Sequence, residues 1–310
     1  MTTDAAQTNP ASPPAARVAD AGALWVSLLR PRQWTKNLFI LAPLLFSARM
    51  FDPVSVWHAM AAFACFCLLA SGVYVLNDVI DRRSDLMHPV KRNRPIASGR
   101  IAPGAALAVG AALVMSGLLG SRLITLSVAV LGTAYIGLNV LYSVVLKHVV
   151  IVDVFTIAAF FVIRLRAGSW AVGVTPSIWL LMCGGLLALY LGFAKRRHEL
   201  ELLQGTSAQH RAVLSQYSTA LLDQLSVVLL AVTIVAYVMY TLESDTARRV
   251  GSDALAYSTV FVLYGVIRYL YLVHRRGGGD PAESLLTDRG LLTSVLLWGV
   301  YCALVIYRPF

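Results

Sequence analysis

Apolar positions along the chain gather into nine runs, at residues 38–50, 54–79, 102–119, 123–146, 149–172, 178–194, 221–242, 255–273 and 291–307. Most approach the roughly 20 residues that an α-helix needs to cross a hydrocarbon core of about 30 Å. The first run is short. Residues 22–30, just before it, read as an interfacial amphipathic helix, with Trp25 and Trp34 as anchors at the headgroup level. Residues 1–21 are rich in Ala, Pro, Thr and Ser and lack an apolar core, so they read as a disordered tail. They also lack the order of a signal peptide. The pattern predicts an all-α polytopic membrane protein, with residues 22–310 forming one domain of nine transmembrane helices.

Composition sharpens this reading. The chain is 58% hydrophobic and only 14% charged, where a soluble domain carries about a quarter charged residues. A net charge of +10 would suggest nucleic acid in a soluble protein. Here the bases sit beside apolar spans, so membrane lipid and anionic substrates are the expected partners, and nucleic acid is not. A cytoplasmic N-terminus puts most of the 26 Lys and Arg residues on the cytoplasmic side. It leaves Arg49, Arg122, Arg248, Arg249 and Arg308 opposite, and Arg164 and Arg166 inside the fifth span. The bias predicts that orientation, with the C-terminus on the far side. Cys65, Cys67, Cys183 and Cys302 all lie in apolar runs without metal-ligand spacing, and read as small hydrophobes.

Two polar segments are exceptional, residues 78–100 and 195–211. Each follows a span that descends to the cytoplasm, which hints at a weak pseudo-repeat. The first opens with N-D-V-I-D-R-R-S-D, Asn77 to Asp85. At about 100° per residue, Asn77, Asp78, Asp81, Asp85 and Tyr74 share one helix face about 100° wide. Carboxylates so close repel unless a positive group stands between them. Magnesium, which takes hard oxygen ligands and shares them with phosphates, is the natural candidate. The plainer reading is a solvated helix end whose acids pair with Arg82, Arg83 and Lys91. The loop beyond carries Lys91, Arg92 and Arg94, restricted by Pro95 and Gly99. Acids with a metal and a cationic loop can together hold a diphosphate.

These residues, with N-R-P-I-A-S-G-R-I from Asn93 to Ile101 and Tyr142-Ser143 with Lys147 before Asp153, resemble the UbiA superfamily of intramembrane prenyltransferases. The resemblance runs over about residues 29–310. It implies a helical bundle around a central cavity open to the cytoplasm. It implies magnesium on Asn77, Asp78, Asp81 and Asp85, with the three aspartates catalytic, and transfer of a group from an activated diphosphate. Tyr74, Lys91, Arg94, Tyr142 and Lys147 would then meet substrate. The chain departs from the pattern after the sixth span. A second D-x-x-x-D is expected there, but Tyr190 is followed by Lys195, Arg196 and Arg197, with Glu199 and Glu201 behind them. More cations imply more phosphate.

That segment and the opening L-R-P-R-Q-W-T-K-N-L-F-I-L-A-P-L-L-F-S, Leu29 to Ser47, resemble one branch of the superfamily. In it the donor is phosphoribosyl diphosphate and the acceptor is decaprenyl phosphate, for cell-wall arabinan precursors at the plasma membrane. By this resemblance Lys36, Tyr190, Lys195, Arg196 and Glu199 join the substrate-binding set. Arg164 either meets a phosphate in the cavity or pairs with a helix carbonyl or an acid; Arg166 is expected to snorkel outward. Two competing readings remain. One is transfer of a prenyl chain from prenyl diphosphate to an aromatic acceptor. The other is an anion transporter, although such a site belongs near the midplane and the charges here crowd the edge. Lipid chain length, the cation facing each phosphate, the number of metal ions and the oligomeric state, homo-oligomer included, stay open.

Overall fold

A computed structural model describes residues 14–87, 91–203, 214–251, 253–276 and 287–307. The basic segment's continuation to Arg211 lies outside them, as do the first thirteen residues of the expected tail. Every described element is helical. In chain order the α-helices are α1 (Pro14–Leu29), α2 (Ala42–Phe46), α3 (Pro53–Ile80), α4 (Arg82–Met87), α5 (Pro103–Ile124) and α6 (Leu126–Val144). There follow α7 (Val152–Ala171), α8 (Ile178–Leu203), α9 (Thr219–Glu243), α10 (Asp245–Val250), α11 (Thr259–Arg276) and α12 (Arg289–Ile306). The helix expected from Gly22 is already formed at Pro14.

Among the described residues, eight helices are long and apolar enough to cross a membrane, and the chain is a multi-pass membrane protein. Eight of the nine expected runs form such helices, and the first run is built differently. It is not one α-helix. A ten-residue 3-10 helix, Pro31–Ile40, hands over to α2, and the chain then turns through Ala48 at φ 58. Pro43 gives the reason. It lacks an amide hydrogen and its ring clashes with the carbonyl four residues back, so no continuous α-helix can run through it. Ten 3-10 residues at about 2.0 Å each, plus five α residues at about 1.5 Å, still give roughly 28 Å of length.

Contacts divide the chain into two compact units, Met1–Trp34 with Ala70–Met115, and Thr35–Leu69 with Ser116–Phe310. In the first, Leu28 of α1 is buried with Val75 of α3 and with Ile96, Ile101 and Ala106, and Leu24 and Trp25 pack against this cluster. Trp25 therefore belongs to a core rather than to the headgroup level alone. Trp34 donates its indole N–H to Ser71, whose hydroxyl donates to the Leu29 carbonyl at 2.8 Å and so closes the end of α1.

In the second unit several helix ends meet at Leu44–Met50. Tyr307, just past α12, accepts from the Met50 amide at 2.8 Å and donates to the Leu45 carbonyl. Arg49 donates to the Val172 carbonyl beyond α7. Thr246 and Arg249 of α10 donate to the Phe46 and Ser47 carbonyls. The ends of the first, fifth and ninth runs, and the turn after the seventh, thus lie together. That parity is what a chain crossing nine times produces, with the two-piece first segment as one crossing. Arg166 is exposed over the Trp170 ring, as a snorkelling arginine would be.

Small residues set the helix approach where α3 meets α5. A Cβ added at Gly72 would stand 2.6 Å from Val114 Cγ2 and 2.9 Å from the Gly110 carbonyl oxygen. Gly72→Val therefore overpacks a contact that cannot open on one side, at an expected cost of about 1–3 kcal/mol. Gly137→Ala, which meets nothing within 4 Å, is the neutral control. Thermal melts of the two variants in detergent check this, and equal melting temperatures would show that α3 and α5 do not need that approach.

Candidate active site

The first charged cluster lies wholly in the first unit. It forms where α3 ends and α4 begins. The backbone ladder continues across the junction, with the Asp81 amide donating to Asn77 O and the Asp85 amide to Asp81 O, both at 2.8 Å. Helical periodicity is therefore kept, and Asp78 and Asp85 come to one side. Both are 3% exposed. Arg94 Nη1 bridges them, at 3.0 Å from Asp78 Oδ1 and 2.7 Å from Asp85 Oδ2. Arg30 donates to the same Asp78 oxygen, and its guanidinium lies 5.1 Å from the Tyr74 ring centroid. Asn77, Asp81 and Tyr74 are half-buried on the same stretch.

Local chemistry explains why both arginines are there. Arg94 opens a loop pinned at both ends by buried isoleucines, Ile96 and Ile101. Gly99 takes φ 75, which a side chain would strain. Arg100 donates to Ser98 Oγ at 2.9 Å and to the Asn93 carbonyl, bracing the turn. Lys91, half-buried, begins the short 3-10 turn before it. Arg30 follows α1 and precedes Pro31. A residue before proline is disfavoured in the helical region, and Arg30 sits at φ 52, a costly value for a non-glycine residue. Its pairing with Asp78 and its stacking on Tyr74 hold it there.

The second cluster lies wholly in the second unit. Arg196 of α8 is buried. Its Nε donates to Asp153 Oδ2 at 2.9 Å, and its Nη1 donates to Glu199 Oε2 one turn on. Tyr217 donates to Asp153 Oδ1 at 3.4 Å and accepts the Ile151 amide at 2.7 Å. Burial is the main cause that pushes the Tyr217 phenol above its ordinary range, so it stays a neutral donor. Ile151 is β-branched and sits at φ 70. Each cluster is thus entered through a strained, non-glycine residue.

The remaining candidates are placed as follows. Lys195 is exposed and has no ion pair among the described residues. Arg197 pairs with Asp223 instead of pointing the same way as its neighbours. Tyr190 is 2% exposed and edge-on to Tyr269, and its hydroxyl has no hydrogen-bond partner among the described residues. Tyr142 is edge-on to Phe160 at 6.2 Å between centroids. Lys147 is half-buried in the turn Leu146–His148, and Lys36 is half-buried on the 3-10 segment. Arg164 is buried inside α7 with three protein acceptors: Asn37 Oδ1 at 2.7 Å, the Phe160 carbonyl at 2.9 Å and the Tyr135 hydroxyl at 3.1 Å.

Periodicity and local spacing do not point to Arg30, Tyr217 or Asp223 as partners. Arg30 stands 48 residues from Asp78, beyond any periodicity. Its position at a helix end before proline was the available signal. The carboxylate of Asp153, six residues from Lys147, engages Arg196 and Tyr217.

Asn77, Asp78, Asp81 and Asp85 offer only oxygen donors apart from one amide nitrogen, a set that fits a hard divalent cation. In the arrangement here Asp78 and Asp85 are turned to guanidinium groups. Among the described residues no three His, Cys, Asp or Glu side chains group so as to hold an ion. The arginines thus supply the positive charge that the acids require, and a cation would have to take over those carboxylate oxygens.

The chain is similar to known proteins over most of its length. Residues 38–292 match the UbiA prenyltransferase family. It is 31% identical over 283 residues to decaprenyl-phosphate phosphoribosyltransferase of Mycolicibacterium smegmatis, covering 88% of this chain and 89% of that one. It is also 31% identical over 305 residues to the Corynebacterium glutamicum protein of the same name, covering 97% and 90%. A solved UbiA homolog from Archaeoglobus fulgidus, bound to GPP and Mg2+, shares the fold with a TM-score of 0.68 at 17% identity, over 91% of this chain and 99% of that one.

The two cations that head the basic segment should behave oppositely in a stability measurement. Arg196→Ala leaves Asp153, which is 1% exposed, buried without its charge partner, an expected loss of about 3–5 kcal/mol. Lys195→Ala removes an exposed charge and should stay within about 0.5 kcal/mol. Thermal melts in detergent separate the two, and equal losses would overturn the placement of Arg196.

Proposed function

We propose, given that the chain belongs to the UbiA prenyltransferase family and is a membrane transferase, that it moves a 5-phosphoribosyl group from phosphoribosyl diphosphate to decaprenyl phosphate. Diphosphate is released, and the product serves cell-wall arabinan synthesis. The reading places the chain in the plasma membrane with its active site on the cytoplasmic side. The observation that carries it is the chemistry after the sixth span. A second acidic pair would suit a prenyl diphosphate donor. Here Arg196 is buried between Asp153 and Glu199, and Lys195 stands exposed beside it. Arg196 is neutralised by those two acids, so it is the exposed charge of Lys195 that suits a substrate with one phosphate more. The relatives named above, alike over about nine-tenths of the chain, support the same reading.

A phosphate monoester is anionic at neutral pH, so the acceptor oxygen needs no strong general base. That oxygen forms a bond to the anomeric carbon of ribose as the bond to diphosphate breaks, and the diphosphate carries away the electron pair. Asn77, Asp78, Asp81 and Asp85 would hold Mg2+, which when bound neutralises charge on the leaving diphosphate. Arg30 and Arg94 are partly exposed, 27% and 28%. In this reading they exchange carboxylate partners for phosphate oxygens as substrate arrives, by charge-assisted hydrogen bonds. Lys91 assists on the same loop. Lys36 and Lys195 are assigned to the ribose 5-phosphate or the lipid phosphate. Buried Arg196, paired with Asp153 and the partly exposed Glu199, orients the end of α8, which Tyr190 supports from within the core, while Tyr74, Tyr142 and Lys147 line the substrate.

The assay supplies labelled phosphoribosyl diphosphate with polyprenyl phosphate and, in parallel, labelled prenyl diphosphate with an aromatic acid. Only the first label should enter lipid, and it should require magnesium. Asp78→Asn, Asp81→Asn or Asp85→Asn should each abolish turnover in protein that still melts cooperatively. Lys195→Ala should raise one Michaelis constant by about 10- to 100-fold, as the loss of a charged hydrogen bond of about 1.5–3 kcal/mol implies. Entry of the second label alone would replace this reading with aromatic prenyl transfer.

Orientation is tested on intact cells with single cysteines at Ser98 and Arg248, both exposed, in a background lacking the native four. An impermeant thiol reagent should reach Arg248→Cys and spare Ser98→Cys. The reverse pattern would turn the site to the outside.

A further inference from the structure

The two-piece first segment touches α7 at three points, all within the second unit. Arg164 Nε donates to Asn37 Oδ1 at 2.7 Å. The Phe39 and Phe161 rings meet edge-on, 4.9 Å between centroids. The Ile40 backbone lies so close to Gly168 that a Cβ there would stand 3.0 Å from Ile40 Cα and overlap its carbonyl oxygen. The spacing is informative. Asn37 and Ile40 are three residues apart on a 3-10 helix, which advances about 2.0 Å per residue, so about 6 Å. Arg164 and Gly168 are four apart on an α-helix, which advances about 1.5 Å per residue, also about 6 Å. Both contacts form together in one register only. A slip of the segment by one residue would bring a different side chain to Arg164 and a different carbonyl to Gly168.

Both ends of the Arg164 contact are fixed by protein. Arg164 is 4% exposed, it bonds three neutral acceptors and no carboxylate, and it lies over the Tyr135 ring at 4.9 Å. Asn37 is 0% exposed, and its amide donates to Cys67 Sγ at 3.2 Å. The donors of Arg164 are aimed at the segment and its neighbours rather than held ready for a phosphate.

We propose that Arg164 and Gly168 are positioning residues: a two-point clamp that sets the register of the 3-10 segment on α7 and thereby places Lys36, the residue next to Asn37. The role of Lys36 as a phosphate ligand rests on the function proposed above. The register does not.

The test reads the two separately. In Lys36→Cys protein, the rate of labelling at that cysteine by a charged thiol reagent is followed by peptide mass spectrometry, with Arg248→Cys as a remote reference. Asn37→Ala and Gly168→Ala should each change the rate at position 36 by at least about threefold. Asn37→Asp, which keeps an acceptor oxygen facing Arg164, should hold it within about twofold, since only the hydrogen bond need be restored. Unchanged rates in Asn37→Ala would overturn the clamp, as would a change in Asn37→Asp as large as in Asn37→Ala. If Gly168→Ala does not fold, the Asn37 pair decides alone.

The kinetic arm is a double-mutant cycle with phosphoribosyl diphosphate and polyprenyl phosphate. Asn37→Ala should raise a Michaelis constant in the native background and add less than about twofold once Lys36 is alanine, because coupled residues are non-additive. Full additivity would show that the clamp does not act through Lys36. Absence of turnover with these substrates would sink the proposed function, while the labelling arm would still report on the register.

Discussion

An ionised side chain taken from water into a helical bundle needs a partner, or it costs several kcal/mol. That constraint organises the described charges of this chain. Asp78 and Asp85 are buried at a helix end, and Arg94 bridges them with Arg30 added on Asp78. Asp153 is buried and meets Arg196. Asp288 is buried at the start of α12 and meets Arg268 of α11. Even Arg164, without an acid, is surrounded by a carbonyl, an amide oxygen, a hydroxyl and two aromatic faces. In each case the partner comes from a different element or a later turn, so the pairs join pieces of chain as well as neutralise charge. At Asp78 and Asp85 the guanidinium partners are themselves partly exposed, so there the buried carboxylates meet their cations at the edge of the bundle.

Much of the helical architecture could be read from hydropathy, because a span of about 20 apolar residues has few alternatives in lipid. Eight of the nine runs became single long helices. The first did not, since hydropathy measures apolar length and is blind to backbone geometry. Pro43 was the visible warning. The helical wheel brought Asp78 and Asp85 to one face, and Arg94 does span both. Periodicity could not reach further. The partners of Asp78 and Asp153 arrive from 48 and 43 residues away, and only the folded chain brings them in. The wheel also left open which of Lys195, Arg196 and Arg197 faces inward. Arg196 turns to Asp153 and Arg197 to Asp223, a choice made by acids on other helices rather than by the segment itself.

The left-handed backbones at Arg30 and Ile151 show how local cost and placement are linked. A non-glycine residue at positive φ is held there by surrounding contacts. At Arg30 these are an ion pair and an aromatic face; at Ile151 they are a phenol that accepts its amide and in turn reaches Asp153. Strain sits next to the charges because the chain must turn sharply there to bring those charges together.

The knot of contacts at Leu44–Met50 has a consequence for how the protein is made. The segment that is synthesised first among the spans receives a hydrogen bond from Tyr307, 262 residues after its acceptor, and from Thr246 and Arg249 about 200 residues later. A ribosome therefore delivers the first crossing long before the groups that close its far end. That crossing has no unbroken helical ladder to satisfy its own carbonyls, so until α10 and α12 emerge its polar backbone must find other donors. Among the described residues, Arg164 on α7, which bonds the Asn37 side chain, is an earlier long-range donor to it. Maturation of this membrane domain is thus ordered in time: early insertion of an incomplete span, capture by the fifth, and closure only when the last helix is in place.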